Sequence, residues 1–180
     1  MIAGVIVPGR AYPAQAPLLS LAAEALADHG AVVETVEWVV PDSLYFVDGA
    51  QVFVRTYVAS ALHRLAERVP GADPVVVAKS LGSYGASLIA ERGLPAVWLT
   101  PILTDGAVVD AIRRSRAPAL LIGGTADTAW VPDAAAATGK TVLTVPDGDH
   151  GLRVPGRLRA YTDVLGTVGT AIEDFLATVR

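Results

Sequence analysis

Cysteine is absent from this 180-residue sequence. That removes disulfides, thiolate metal sites and a cysteine nucleophile together. Lysine is nearly absent too: Lys79 and Lys140 are the only two, and the rest of the 14 basic residues are arginines. Apart from Arg113, Arg114 and Arg116, and a group running from Arg153 to Arg159, they are scattered. Both clusters read as solvated faces, and with a formal net charge of -4 no nucleic-acid partner is expected. Charged residues make up 18% and aromatics 6%. No apolar run reaches the ~18 residues of a membrane span. Residues 1–7 are too short for a secretory h-region and have no basic residues before them. A soluble, cytoplasmic protein with no membrane partner is the expectation. What is plentiful is aliphatic surface: hydrophobic residues account for 52%, enough for one well-packed domain over 1–180.

The chain is organised around the stretch Val75-Val76-Val77-Ala78-Lys79-Ser80-Leu81-Gly82. A β-branched run leads into a small-x-Ser-x-Gly turn, and an apolar helix follows to about residue 92. A serine hydroxyl is a weak nucleophile and must stand clear of the sheet, within reach of a base. A sharp strand-to-helix turn lifts Ser80 to such a place, and small neighbours let strand and helix approach. The Leu81 N–H then lies at a helix N-terminus, suited to developing negative charge. An ordinary strand-to-helix turn with Ser80 as its cap has the same local pattern.

In chain order, residues 2–7 form an aliphatic strand that ends in a loop with Pro8, Gly9 and Pro13. A helix over 16–29 closes at Gly30, and a strand over 31–40 follows, its Glu34 and Glu37 pointing to a sheet edge. A helix over 50–69 precedes the serine strand. Residues 95–99, 119–122 and 141–145 read as three further strands. Asp105 caps a helix to residue 114, Pro132 opens a short one, and 158–179 forms the last. Strict alternation predicts an α/β fold: a three-layer αβα sandwich around a doubly wound, six-stranded parallel sheet in the order 2-1-3-4-5-6.

Three polar residues fall at strand exits on one edge of that sheet: Ser80, Asp127 and His150. An imidazole titrating near ~6.5 takes up a serine proton and returns it to a leaving group at neutral pH. Asp127 would fix its tautomer and stabilise its charged form. The other two histidines, His29 and His63, sit on helices. Asp105 and Asp149 are rivals for the acid, but Asp105 is explained as a cap and Asp149 adjoins the histidine. Asp147, Asp149 and His150 also crowd one turn, but three ligands so close, without a second cluster, argue against a metal. No metal or cofactor is expected. The loop over 8–17 lacks the glycine and lysine patterns of nucleotide-binding folds.

The elbow around Ser80 and the order Ser, Asp, His resemble the α/β-hydrolase superfamily, in particular its small dienelactone-hydrolase-like and carboxylesterase-like members. Nearly the whole chain, from Ile2 to the last helix, takes part, although the family's initial antiparallel pair of strands is missing. Ala78 stands where the family has glycine. The resemblance implies a serine hydrolase that cleaves small esters, thioesters or lactones through an acyl-enzyme. It places the second oxyanion donor in the loop after strand one, where Pro8-Gly9-Arg10 makes the Arg10 N–H the candidate, with proline replacing a usual histidine. Larger members insert a lid after the fourth strand; here residues 100–104 leave no room for one. An open site edged by Tyr12, Tyr45, Phe46, Leu103 and Trp130 is implied, although each aromatic also fits core packing. Lys79 is either a solvated neighbour of the serine or the partner of an acid beside it. The competing function is a non-catalytic small-molecule binding protein with the same fold.

Overall fold

Aliphatic runs with no polar side to show must be covered on both faces, and the sheet is built from four of them. The structure is a computed structural model that describes residues 2–44 and 47–179, the side chains of Val47 and Asp48 excepted. The strands are β1 (Ile2–Val7), β2 (Val32–Thr35), β3 (Asp73–Lys79), β4 (Ala96–Leu99), β5 (Ala119–Gly124) and β6 (Thr141–Val145). All pair in parallel, in the order β2-β1-β3-β4-β5-β6. β4 and β5 are buried along their whole length, whereas β2 and β6 at the edges are largely half-buried or exposed.

Alternate residues of the strands feed two cores. Val5, Val76, Trp98 and Leu121 face α2 (Val47–Arg68), α3 (Ala86–Glu91), α4 (Gly106–Arg114) and α5 (Pro132–Ala137). Ile6, Val77, Leu99 and Ile122 face α1 (Pro17–Asp28) and α6 (Leu158–Thr178). Each fully buried Val, Leu or Ile stabilises the fold by about 1.5–3 kcal/mol. The two layers therefore hold the strand ends rigidly enough to carry strained loops.

Two elements differ from the sequence reading. β2 spans four residues rather than 31–40. Its one neighbour on the inner side, β1, stops at Val7 before Pro8, so after the Val36 N–H donates to the Ile6 carbonyl (2.9 Å) the ladder has no further partner. The helix after Ser80 is also not α-helical from its start. Ser80–Gly85 is a 3₁₀ helix, and α3 begins only at Ala86. The Ser83 hydroxyl donates to the Ser80 carbonyl (2.7 Å) and accepts from the Ile102 N–H (3.1 Å), occupying a group that a regular α-helix would use. Asp105 caps α4 as expected, accepting from the Ala107 N–H at 2.9 Å. Among the described residues no helix is long and apolar enough to cross a membrane.

Candidate active site

Ser80 follows the last residue of β3 with φ 50, a left-handed conformation that a side chain adopts only under strain. The turn closes tightly over β1. A Cβ built on Gly82 would lie 2.9 Å from Val7 Cγ1 and 3.2 Å from Ala78 Cβ. The alanine at 78 is thus accommodated because the residue across from it is glycine. The loop after β1 borders the serine: a Cβ on Gly9 would stand 3.5 Å from Ser80 Cβ.

His150 arrives from the loop after β6. Ser80 Oγ donates to His150 Nε2 at 2.7 Å, and His150 Nδ1–H donates to Asp127 Oδ2 at 2.8 Å. The imidazole is half-exposed, with 45% of its side chain open to solvent, while the Asp127 side chain is 1% exposed. Burial alone would push the Asp127 carboxyl up. The hydrogen bonds from His150 and the Ala129 N–H, with the charges of His150 and Lys79, outweigh it and hold the carboxyl below its usual range. The imidazole is therefore open to solvent on one side and anchored to a buried carboxylate on the other.

The two loops that present Asp127 and His150 are tied to each other by one backbone–backbone and one backbone–side-chain hydrogen bond. The Ala126 N–H donates to the Gly148 carbonyl (3.0 Å), and the Asp147 N–H to Thr125 Oγ1 (2.8 Å). Asp149 turns away from the imidazole: its Oδ1 accepts from the Gly151 and Arg153 N–H groups (2.7 and 2.9 Å) and shapes the turn. Of the three acids weighed from sequence, Asp127 is the one that reaches the histidine. His29 closes α1 by donating from Nδ1 to the Ala25 carbonyl (2.9 Å), and His63 lies on the exposed face of α2 beside Glu67.

The remaining sequence candidates divide. Tyr12 borders the site; its hydroxyl accepts from the Leu18 N–H (3.0 Å), and burial pushes its phenol up to about 12. Leu103 and Trp130 do not edge an open site. They are 3% and 5% exposed, packed in the core, with the Trp130 ring lying where any Gly123 side chain would be. The Trp130 N–H donates to the Asp127 carbonyl (3.1 Å) and the Leu103 N–H to the Ala129 carbonyl (2.9 Å). Their contribution is to support the Asp127 loop from beneath. Tyr45 and Phe46 lie outside the described residues. Trp38 was missed by the sequence reading. Its Nε1–H donates to the Gly9 carbonyl (3.4 Å), bracing the loop beside Ser80. A cleft of ≈ 490 Å³ opens between that loop and the end of β2, with Gly9, Arg10, Tyr12, Glu37 and Trp38 among its walls. Tryptophan in a run of otherwise strand-like residues was the available signal.

No protein-family model matches the sequence, and no curated protein matches it significantly. Solved structures do match, over almost the full chain. An α/β serine hydrolase without lid from Xanthomonas campestris is 18% identical with a TM-score of 0.68, covering 97% of this chain and 82% of its own. Est1E from Butyrivibrio proteoclasticus, solved with ferulic acid bound, is 14% identical at a TM-score of 0.72, covering 99% and 89%. The Pyrococcus furiosus esterase Pf2001 is 12% identical at 0.69, covering 98% and 82%. The sheet order, the helical layers and these neighbours agree: this chain has a minimal α/β-hydrolase fold.

Proposed function

We propose that the protein is a serine hydrolase that cleaves small carboxylic esters, thioesters or lactones with Ser80, His150 and Asp127 as its catalytic triad. The observation that carries this reading is the continuous chain of hydrogen bonds from Ser80 Oγ through the imidazole to Asp127, at 2.7 and 2.8 Å. Ser80 Oγ attacks the substrate carbonyl carbon as His150 Nε2 takes its proton. The carbonyl π electrons move to oxygen, and the Leu81 and Arg10 N–H groups are assigned to receive that oxyanion. Collapse of the tetrahedral intermediate breaks the bond to the leaving alkoxide or thiolate, which receives the proton from Nε2. Water then repeats the sequence on the acyl-enzyme and releases the acid. Asp127 holds Nδ1–H throughout, so Nε2 faces the serine unprotonated at the start.

The size class follows from the connection after β4. Residues 100–104 join the strand to the cap of α4, and a lid helix of two turns alone needs about seven residues. The ≈ 490 Å³ cleft beside Gly9 is walled by the loop after β1 and the end of β2 rather than by Ser80 or His150, so we assign it to the part of the substrate beyond the reacting carbonyl. A fluorophosphonate probe tests the reading: it should label the wild type and leave Ser80→Ala unmodified. An unlabelled wild type that still binds small esters would favour the non-catalytic binding protein instead.

A further inference from the structure

Lys79 is a charged residue sealed inside the protein. It is 1% exposed at the end of β3, immediately before the serine. Its Nζ donates to Thr100 Oγ1 at 2.6 Å and to the His150 main-chain carbonyl at 2.7 Å, and lies 4.7 Å from the centroid of the Tyr12 ring. An ammonium has three donors, and these three partners account for them: two oxygens and an aromatic face. They come from three different strand exits, those of β4, β6 and β1.

Burying an ammonium costs several kcal/mol even after relaxation, and an apolar side chain of similar volume often serves stability as well or better. The use of this charge therefore lies in what it holds. The loop carrying His150 is tied to the Asp127 side by the Gly148 carbonyl and the Asp147 N–H. Lys79 fastens it to the elbow strand through the carbonyl of His150 itself. The loop is bracketed by strained residues, Asp147 at φ 55 and Leu152 at φ 58, so it needs anchors on both sides to keep its shape.

We propose that Lys79 is a positioning residue for hydrolysis, its buried ammonium setting the separation of His150 from Ser80 by fastening the His150 carbonyl and the Thr100 hydroxyl to the strand that bears the serine. The proposal rests on the hydrolase reading above. The ammonium is faced by Tyr12 from the loop after β1, Asp127 from the loop after β5, and Asp149 and His150 from the loop after β6; Arg153 and Tyr161 stand behind Tyr12. Burial pushes Lys79 down to about 8 from 10.5, against the opposing charges of Asp127 and Asp149. The holding form is thus present below about pH 8 and lost above it. Folding lowers this pKa, so proton loss between about 8 and 10.5 favours the folded state. A fall in turnover over that range is then loosening of the site without unfolding.

The test is kcat and KM for a short p-nitrophenyl ester in wild type and Lys79→Met across about pH 6 to 10, with fluorophosphonate labelling and denaturant melts alongside. Lys79→Met should lose about 10²-fold in kcat, the effect of a misplacement on the order of 1 Å, with KM nearly unchanged. Wild-type kcat should fall above about pH 8 while the protein stays folded, and the variant should lack that alkaline limb. If the variant does not fold, the wild-type profile decides alone: turnover flat through about pH 10 overturns the proposal. An active wild type with Lys79→Met within about threefold in kcat overturns it while sparing the hydrolase reading. A wild type that neither hydrolyses esters nor takes the probe brings down both.

Discussion

Replacing Asp127 by asparagine probes the triad with the least disturbance of shape. The carboxylate is 1% exposed and makes two contacts: Oδ1 accepts from the Ala129 N–H (2.9 Å) and Oδ2 from His150 Nδ1–H (2.8 Å). An asparagine keeps the first by placing its carbonyl oxygen there. Its NH₂ then faces Nδ1 and donates, which requires the imidazole to carry its proton on Nε2. In that tautomer Nε2 points a hydrogen at Ser80 Oγ across 2.7 Å and has no lone pair to accept one. Turnover should fall by about 10⁴-fold, the loss known from the same substitution in serine proteases, or about 5.5 kcal/mol of transition-state stabilisation. The assay is steady-state hydrolysis of p-nitrophenyl butyrate, with circular dichroism to verify the fold. Asp105→Asn serves as control. It alters the cap of α4 and the carboxylate beside the Tyr84 hydroxyl, leaving kcat at the wild-type value, with a stability loss of about 1 kcal/mol at most. If Asp127→Asn retains turnover within tenfold, or if Asp105→Asn is the damaging change, the assignment of the acid is wrong.

Three further outcomes are expected. Ser80→Ala should lose roughly 10⁶-fold in turnover, and hydrolysis of acetyl esters at an undiminished rate by that variant would end the proposed mechanism. Gly124→Ala would drive a Cβ into the Gly148 carbonyl, which accepts from the Ala126 N–H and cannot yield without moving the backbone that links the Asp127 and His150 loops. It should cost about 1–3 kcal/mol and most of the turnover, whereas Gly106→Ala, with open space around it, should do neither; equal melting curves for the two variants would refute the coupling of the loops. Across acetyl, butyryl, hexanoyl and decanoyl esters, kcat/KM should rise over the first carbons and then level off, because an uncovered chain gains only part of the ~0.8 kcal/mol per buried methylene. A steady rise through decanoyl contradicts an open site.

The sheet was legible because its central strands say so residue by residue. Val75-Val76-Val77 and Ala119-Leu120-Leu121-Ile122 have no polar face to offer, so each had to lie between two helical layers. Once the order of the strands followed, the exits carrying Ser80, Asp127 and His150 had to share one edge. What escaped the sequence depends on contacts between distant segments. The short β2 is set by where Pro8 ends β1, not by residues 36–40, which keep strand-like composition. The 3₁₀ turn after Ser80 comes from the hydroxyl of Ser83 meeting Ile102, nineteen positions away along the chain. Trp130 and Leu103 read as rim residues because they flank site loops, yet each turns inward to fill the core under them. Lys79 was open to two readings, and its partners lie on three loops whose packing no local pattern records.

The distribution of backbone strain supports the same placement of the site. Among the described residues, the non-glycine positions with positive φ are Ser80, Thr100, Asp147 and Leu152. They fall in the loops after β3, β4 and β6, all on the carboxyl edge of the sheet. Each costs on the order of 1 kcal/mol or more and persists only where the surroundings over-determine it. Those surroundings can be named. Thr100 N–H donates to the Ile122 carbonyl (2.7 Å) and its hydroxyl accepts from Lys79; Asp147 N–H is held by Thr125; Leu152 N–H donates to the Asp149 carbonyl (2.8 Å), with its side chain 0% exposed in the core beneath α6. A fold free to relax would place such residues anywhere in its loops. Here they gather on the one sheet edge that carries Ser80 and His150, and the two apolar layers on either side of the sheet supply the stability that keeps them there.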